Sequence, residues 1–339
     1  MTPSAAKTPA HGWPCSRRCR KNGLGRVETW SRILHARRGD VEGTAPPDRN
    51  DEYLFYQLLL GAWPAELTGV DSLDPEMVRS FAERMERTMV KSMREAKLHS
   101  TWASPDIAYE EAMLGFVRDA LEISRPNAFL GVFLPLQERI ARLGIRNSLV
   151  QTALKLTSPG VPDTYQGAEL WDLSLIDPDN RRPVDYEMRI ELLEQISALL
   201  EQNRRTAMLD MLEDWRAGRV KLAVIATLLA YRRNHPKLFT QGAYEPLAAA
   251  GPKADHICAF ARSHEGKALL VAAARFPARL EADPDWSGTA IPWPAVAGHM
   301  RWRDLLWGHV VVRRGEAVDA ETVLGHLPIA VLVPDGGAQ

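Results

Sequence analysis

Residues 149–170 read LVQTALKLTSPGVPDTYQGAEL, and the choice of fold turns on this stretch. Its apolar start breaks at a turn cluster, Ser158, Pro159 and Gly160. A short buried strand that delivers a functional loop fits the pattern, and a helix running into a loop is the alternative. The loop continues through WDLSLIDPDNRRPVDY to Tyr186 and gathers acids, an Arg pair, prolines and aromatics. Such a mixture suits the wall of a binding site.

Outward toward the N-terminus, the pattern is helical. RVETWSRILHAR places Val27, Trp30, Ile33 and Leu34 at helical spacing. GDVEGTAPPDRN is a loop, and EYLFYQLLLGAWP is an apolar helix ended by Gly61 and Pro64. Asp74 caps the next helix with Pro75 at its first position, and that helix is long, charged and amphipathic. Further helices are expected at residues 129–143 and 145–155. Beyond Tyr186, EMRIELLEQISALLEQ is helical, and a second helix runs from about Val220 to His235 before Pro236. From about Gln241 the texture changes to short extended runs with loose period-2 alternation, including HICAFARS, KALLVAAARF, MRWRDLLWG, HVVVRRGE and IAVLVPD. These predict a small all-β domain, with Trp302 and Trp307 in its core.

The bulk numbers narrow the function classes. The 339 residues suffice for one large domain plus a small one, or two or three of ordinary size. A hydrophobic content of 45% and a charged content of 25% are those of an ordinary globular chain. The net charge of −1 offers no global field to recruit nucleic acid or an anionic membrane. No apolar run reaches the roughly 18 residues of a membrane span, and no secretory core is legible near Met1. Three cysteines, Cys15, Cys19 and Cys258, make no disulfide framework, so a reducing cytoplasm is the expected location. Ten tryptophans against seven tyrosines admit both sugar stacking and plain core filling. No nucleotide, metal or flavin signature is found, and no cofactor is expected.

Four stretches together resemble one family: PDRNDEYLFYQLLLGAWP, MREAKLHSTWASPDIAYE, SPGVPDTYQGAELWD and LIDPDNRRPVDY. They are similar to the C-terminal half of maltooligosyl trehalose synthase, a family of the α-amylase superfamily, from about Arg26 onward. PGVPDTYQGAEL resembles the segment after the eighth barrel strand, and VIATLLAYRRNHPKL the last barrel helix. The resemblance implies an α/β plus β chain: the C-terminal part of a (β/α)8 barrel with a helical insertion over 26–238, then a small β-sandwich over 239–339. A barrel lacking most of its strands would leave an open edge and an exposed core, so the isolated chain is expected to be poorly soluble or molten. The resemblance also implies an activity. The reducing-end α-1,4 bond of a maltooligosaccharide becomes an α,α-1,1 bond by intramolecular transglucosylation, with the retaining chemistry of paired carboxylates. The nucleophile and acid/base of that superfamily follow earlier strands, so this chain is expected to be inactive alone. A non-catalytic carbohydrate-binding fragment is the alternative. The expected partner is a maltooligosaccharide, with no nucleic acid and no membrane.

The first 25 residues match nothing that follows. They hold no acid but five basic residues, Lys7, Arg17, Arg18, Arg20 and Lys21. A transit peptide, or a metal site from His11, Cys15 and Cys19, are two readings. A third reading is a frame error. Codons allowed for MTPSAAKTPA, read one base earlier after an added C, spell HDTKRGEDAR, which resembles the family's His-Asp motif at this place. Residues 1–25 are therefore expected to be out-of-frame coding sequence.

The candidate site residues are Asp177, Asp179, Arg181 and Arg182, then Asp163, Tyr165, Gln166 and Trp102. Arg offers a planar fork that suits vicinal sugar hydroxyls, and the alternative is a salt-bridged loop pinned to its scaffold. By resemblance, Arg181 and Arg182 lie beside the reducing-end glucose. The two acids are equally ordinary turn chemistry. By resemblance, Asp163, Tyr165 and Gln166 sit where the loop approaches the active site; Tyr165 would stack on a pyranose face or pack beneath the loop, and Gln166 would bond hydroxyls. Trp102, with Ser100 and Thr101, would line the cleft or fill the core. Asp51, Glu52 and Tyr53 read as a helix N-terminus. Lys91, Arg94 and Lys97 read as a solvated helix face. His99 and His235 have no partner legible in the sequence.

Overall fold

A computed structural model describes residues 20–37, 46–295, 298 and 300–336. The alternatives for His11, Cys15 and Cys19, and the shifted frame over 1–19, lie outside the described residues. The chain forms two compact units.

The first unit comprises residues up to 144 and the segment 173–183. It is helical. Its elements are α1 (Arg20–Leu34), α2 (Arg49–Ala62), α3 (Pro75–Ala96), α4 (Ile107–Ala120) and the first half of α5 (Ala128–Thr157). Three helices start on an aspartate whose carboxylate accepts first-turn N–H groups. Asp48 takes those of Asn50 and Asp51, Asp74 those of Glu76 and Met77, and Asp106 that of Tyr109. These bonds satisfy donors that a helix start leaves without partners. In α3 the buried positions Val78, Phe81, Met85, Met89 and Met93 recur at helical spacing and form one stripe. They close on an aromatic core in which Trp30, Phe129, Phe133, Trp63 and Phe81 meet largely edge to face.

The second unit comprises residues 145–172 and 184–339. It contains the remainder of α5, then α6 (Tyr186–Glu213), α7 (Arg219–Asn234), the short α8 (Pro236–Thr240) and the β region. The expected strand at Leu149 is a correction. It is the C-terminal half of α5, a single helix of 30 residues where two shorter helices and a strand were anticipated. Leu149, Val150, Ala153 and Leu156 are buried, and their spacing of one, three and three residues is helical. The helix-then-loop alternative is therefore the observed one, and among the described residues no strand precedes Ala243. Helix α6 breaks at Asn203, whose backbone is extended and whose side-chain Oδ1 accepts from Thr206 N–H to cap the second part.

The sheet begins with β1 (Ala243–Leu247), β2 (Ile257–His264) and β3 (Lys267–Ala274). β2 and β3 form a hairpin in which His264 faces Lys267 across Glu265 and Gly266, both at positive φ as a two-residue turn requires. β5 (Arg301–Asp304), β6 (Val310–Val312) and β8 (Ile329–Pro334) complete six antiparallel strands in the order β1-β2-β3-β8-β5-β6. β4 (Ala290–Pro292) and β7 (Ala317–Asp319) pair separately. The anticipated alternation fails in β3 and β8, which are buried almost throughout. One face of the sheet, with Leu269, Val271 and Val331, packs with α5, α6 and α7 residues. The other, with Leu270, Ala272 and Leu332, packs with Trp286, Trp293 and Ile291. A strand covered on both faces has no polar face to display. Trp302 and Trp307 are buried as expected.

Candidate functional site

In the first unit, the segment 173–183 is held by basic residues of α3. Asp179 carries the strongest tie. Its two carboxylate oxygens accept from Arg84 Nε and Nη2, each at 2.8 Å, and Oδ2 also accepts from Leu175 N–H at 2.6 Å. Arg84 Nη2 donates further to Leu173 O at 2.9 Å. Burial acts to raise the Asp179 carboxyl, but the Arg84 and Leu175 hydrogen bonds and the Arg84 and Arg182 charges outweigh it and hold it below the usual range. Asp177 pairs with Arg181 Nε, and its backbone carbonyl accepts from Lys91 Nζ at 2.6 Å. Arg182 lies 3.2 Å from Asp179. The arginines Arg181 and Arg182 remain 67% and 52% exposed, whereas Asp179 is 10% exposed. A pocket opens here between Arg84, Arg87 and Thr88 of α3 and Asp177, Pro178 and Arg182 of the loop.

One end of α3 leads to a second arrangement. Arg94 forks onto Glu110, Nε to Oε1 at 2.8 Å and Nη2 to Oε2 at 2.7 Å. Arg94, more than burial opposes, holds the Glu110 carboxyl low, and Ser100 Oγ donates to the same group. The Arg94 guanidinium sits 5.0 Å from the ring of Trp102, which is 59% exposed. His99 Nε2 contacts Asp48 at 2.9 Å and stacks on Tyr109 at 4.2 Å, and Tyr109 donates to Asp51 at 2.8 Å. Asp48, Asp51 and His99 place ligand atoms within 4.8 Å of one another. The helix cap and the tyrosine already engage the two acids.

In the second unit, the loop after α5 carries Asp163, Tyr165 and Gln166, with Asp163 and Gln166 exposed and Tyr165 half-buried. Two arginines fix its start. Arg232 donates to Leu156 O and Gly160 O, and the buried Arg262 to Thr157 O, Phe239 O and Gly242 O. Its far end is fixed by Lys221, whose ammonium donates to Leu170 O at 2.8 Å and is pushed down to about 8 by burial. Trp171 Nε1 donates to Trp215 O.

The structure brings Asp177, Asp179, Arg181 and Arg182 together and puts Trp102 on the surface instead of in the core. It corrects the solvated-face reading of Lys91, which ties the Asp177 loop, and of Arg94, which pairs with the buried Glu110 of α4. His99 has a partner in Asp48, and His235 stacks on Tyr231. Sequence reasoning missed Arg84, Arg232, Arg262 and Lys221. Arg84 had a signal: it adjoins Phe81, Met85 and Thr88, which belong to the buried side of α3.

No protein-family model matches the chain. Two putative maltooligosyl trehalose synthases of Mycobacterium tuberculosis, from strains CDC 1551 and H37Rv, are each 33% identical over 307 residues, 90% of this chain. The solved maltooligosyltrehalose synthase of Arthrobacter ramosus shares 32% identity over 90% of the chain, with a TM-score of 0.69. Another maltooligosyl trehalose synthase structure shares 26% over 92%, with a TM-score of 0.67. The fold, a helical unit and a unit of helices packed with an antiparallel sheet, is thus that of one portion of such a synthase. Over 90% of its length the chain matches one portion of maltooligosyl trehalose synthases. It spans 34% of the length of the curated relatives and 35% of the Arthrobacter chain.

Proposed function

We propose that this chain supplies the C-terminal part of a maltooligosyl trehalose synthase. The observation that carries the reading is the 33% identity over 307 residues to proteins of that name. In this reading the chain contributes helices, and no described strand before Ala243, to the end of a (β/α)8 barrel, with a helical insertion and a β-sandwich, and it works in the cytoplasm. Joined to the remaining two-thirds, it converts the reducing-end α-1,4 bond of a maltooligosaccharide to an α,α-1,1 bond. The carboxylates of that retaining chemistry come from the other part, so the chain alone is inactive.

Its own residues hold the released glucose while it turns over in the site. Exposure favours Arg181 and Arg182 for hydroxyl contact, with Asp177 beside them. Asp179 is engaged with Arg84 and serves to set the loop. In the second unit, the exposed Asp163 and Gln166 and the half-buried Tyr165 are a separate set of sugar contacts in this reading. Holding glucose against water decides between isomerisation and hydrolysis.

Co-expression with the upstream polypeptide, followed by incubation with maltopentaose, tests the assignment. A trehalose-ended product has no reducing end, so reducing sugar should fall without equivalent release of glucose. Unchanged reducing sugar, with both parts folded and associated, refutes it.

A further inference from the structure

Seven of the nine described tryptophans are buried and Trp171 is partly so, but Trp102 is 59% exposed. Leaving a large indole in water forgoes hydrophobic stabilisation, so its placement calls for a cause. The loop that carries it is latched on both sides. Ser100 Oγ accepts from Asp106 N–H and donates to Glu110, while Thr101 and Ser104 close a turn on each other. Asp106 caps α4, and His99 is fixed by Asp48 and Tyr109. The indole itself is backed by Arg94, whose charge is matched by the buried Glu110. One face is therefore occupied and the other is presented to solvent on a pre-organised support.

We propose that Trp102 is a stacking platform for one glucose ring of an α-1,4-glucan, outside the Asp177–Arg182 loop. The choice of ligand class rests on the synthase reading; the platform rests on the geometry. The cation behind the ring is already neutralised, and the acid nearest in the loop, Asp106, is used as a helix cap, so no charge is left to select an ionic ligand. A neutral ring with an apolar CH face and peripheral hydroxyls fits. Arg94 follows Thr88, which lines the arginine pocket, by six residues or about 9 Å along α3. A single oligosaccharide is able to touch both.

Calorimetry with maltoheptaose and electrophoresis through amylose gels test this on the full chain. Trp102→Ala should bind roughly tenfold more weakly, and Trp102→Phe within about threefold of the parent, since a smaller ring retains the stacking face. Both variants should keep the parent's unfolding midpoint. Absence of binding by the parent, or equal affinity in Trp102→Ala, overturns the proposal. So does a change in oligomeric state in Trp102→Ala at unaltered sugar affinity, which marks a protein-docking surface instead. Glucan binding at Trp102 without trehalose formation by the completed enzyme leaves the platform standing and removes the synthase assignment.

Discussion

Replacing Arg84 by Met removes one guanidinium and three hydrogen bonds, two to Asp179 and one to Leu173 O. The pair is nearly enclosed, with side chains 14% and 10% exposed. Deleting one member of a buried pair costs about 3–5 kcal/mol, because the remaining charge keeps its desolvation penalty. Asp179 retains Leu175 N–H and the neighbouring Arg182, which places the expected loss near the lower end, about 3 kcal/mol. Asp179→Asn should cost about 2 kcal/mol, and the double variant should fall short of additivity by about 2 kcal/mol. The pH dependence follows from the lowered Asp179 carboxyl. A folded value below the unfolded one, near 3.9, gives stability that is present above about pH 4 and lost as the pH falls through the folded value. The gap between parent and Arg84→Met should therefore be widest at neutral pH and close in acid. Urea unfolding at pH 7 and at about pH 2 measures both effects. Trypsin provides a local readout, since the Arg181–Arg182 bond lies in the released loop and should be cut faster in Arg84→Met. Coupling near zero, with unchanged cleavage at Arg181, would show that Arg84 does not hold the loop.

In the β region, Gly251→Ala should lose about 3 kcal/mol or more: φ is +107° and the new Cβ would lie 2.0 Å from Gly288 O, which is backbone. Gly131→Ala, with open space in helix α5, should be neutral or stabilising by up to about 1 kcal/mol, both variants being read by thermal unfolding. Asp304 is raised by burial to about 6 despite accepting Leu306 and Trp307 N–H groups. A raised folded value contributes stability that is full below the unfolded value and lost as pH rises through 6. Asp304→Asn should then gain about 2 kcal/mol relative to the parent between pH 4 and pH 7 in urea titrations, and parallel curves would contradict the assignment. The coding DNA tests the shifted frame of residues 1–25: one base earlier, it should spell HDTKRGED.

The helical part was legible because burial there follows one period. Trp30, Leu34, Phe81 and Met85 fall where a 3.6-residue repeat puts them, and Asp74 with Pro75 marked a start. At Leu149 the same signal was present but short, and a turn cluster after an apolar run imitated a strand. The residues that settle it are Ala153 and Leu156, one and two turns on, both buried. β3 and β8 misled in the opposite way. Alternation requires one wet face, and neither face of this sheet is wet at its centre.

The candidate site was legible as a composition and illegible as a division of labour. In DPDNRR the four charges look alike on the page, yet they separate by partner. Asp179 is fixed by an arginine 95 residues away, a distance no local pattern encodes. Asp177 is shared between Arg181 and the backbone tie from Lys91. What remains for a ligand is the outward pair, Arg181 and Arg182, each leaning on one acid and more than half exposed. The bland reading, a pinned loop, and the sharp one, a sugar contact, are therefore not rivals. A flexible loop would lose entropy each time its arginines closed on a neutral sugar, and hydroxyl bonds in water return little. Pinning through Asp179 and Lys91 meets that cost during folding, so under the proposed function the arginines would meet a sugar already placed.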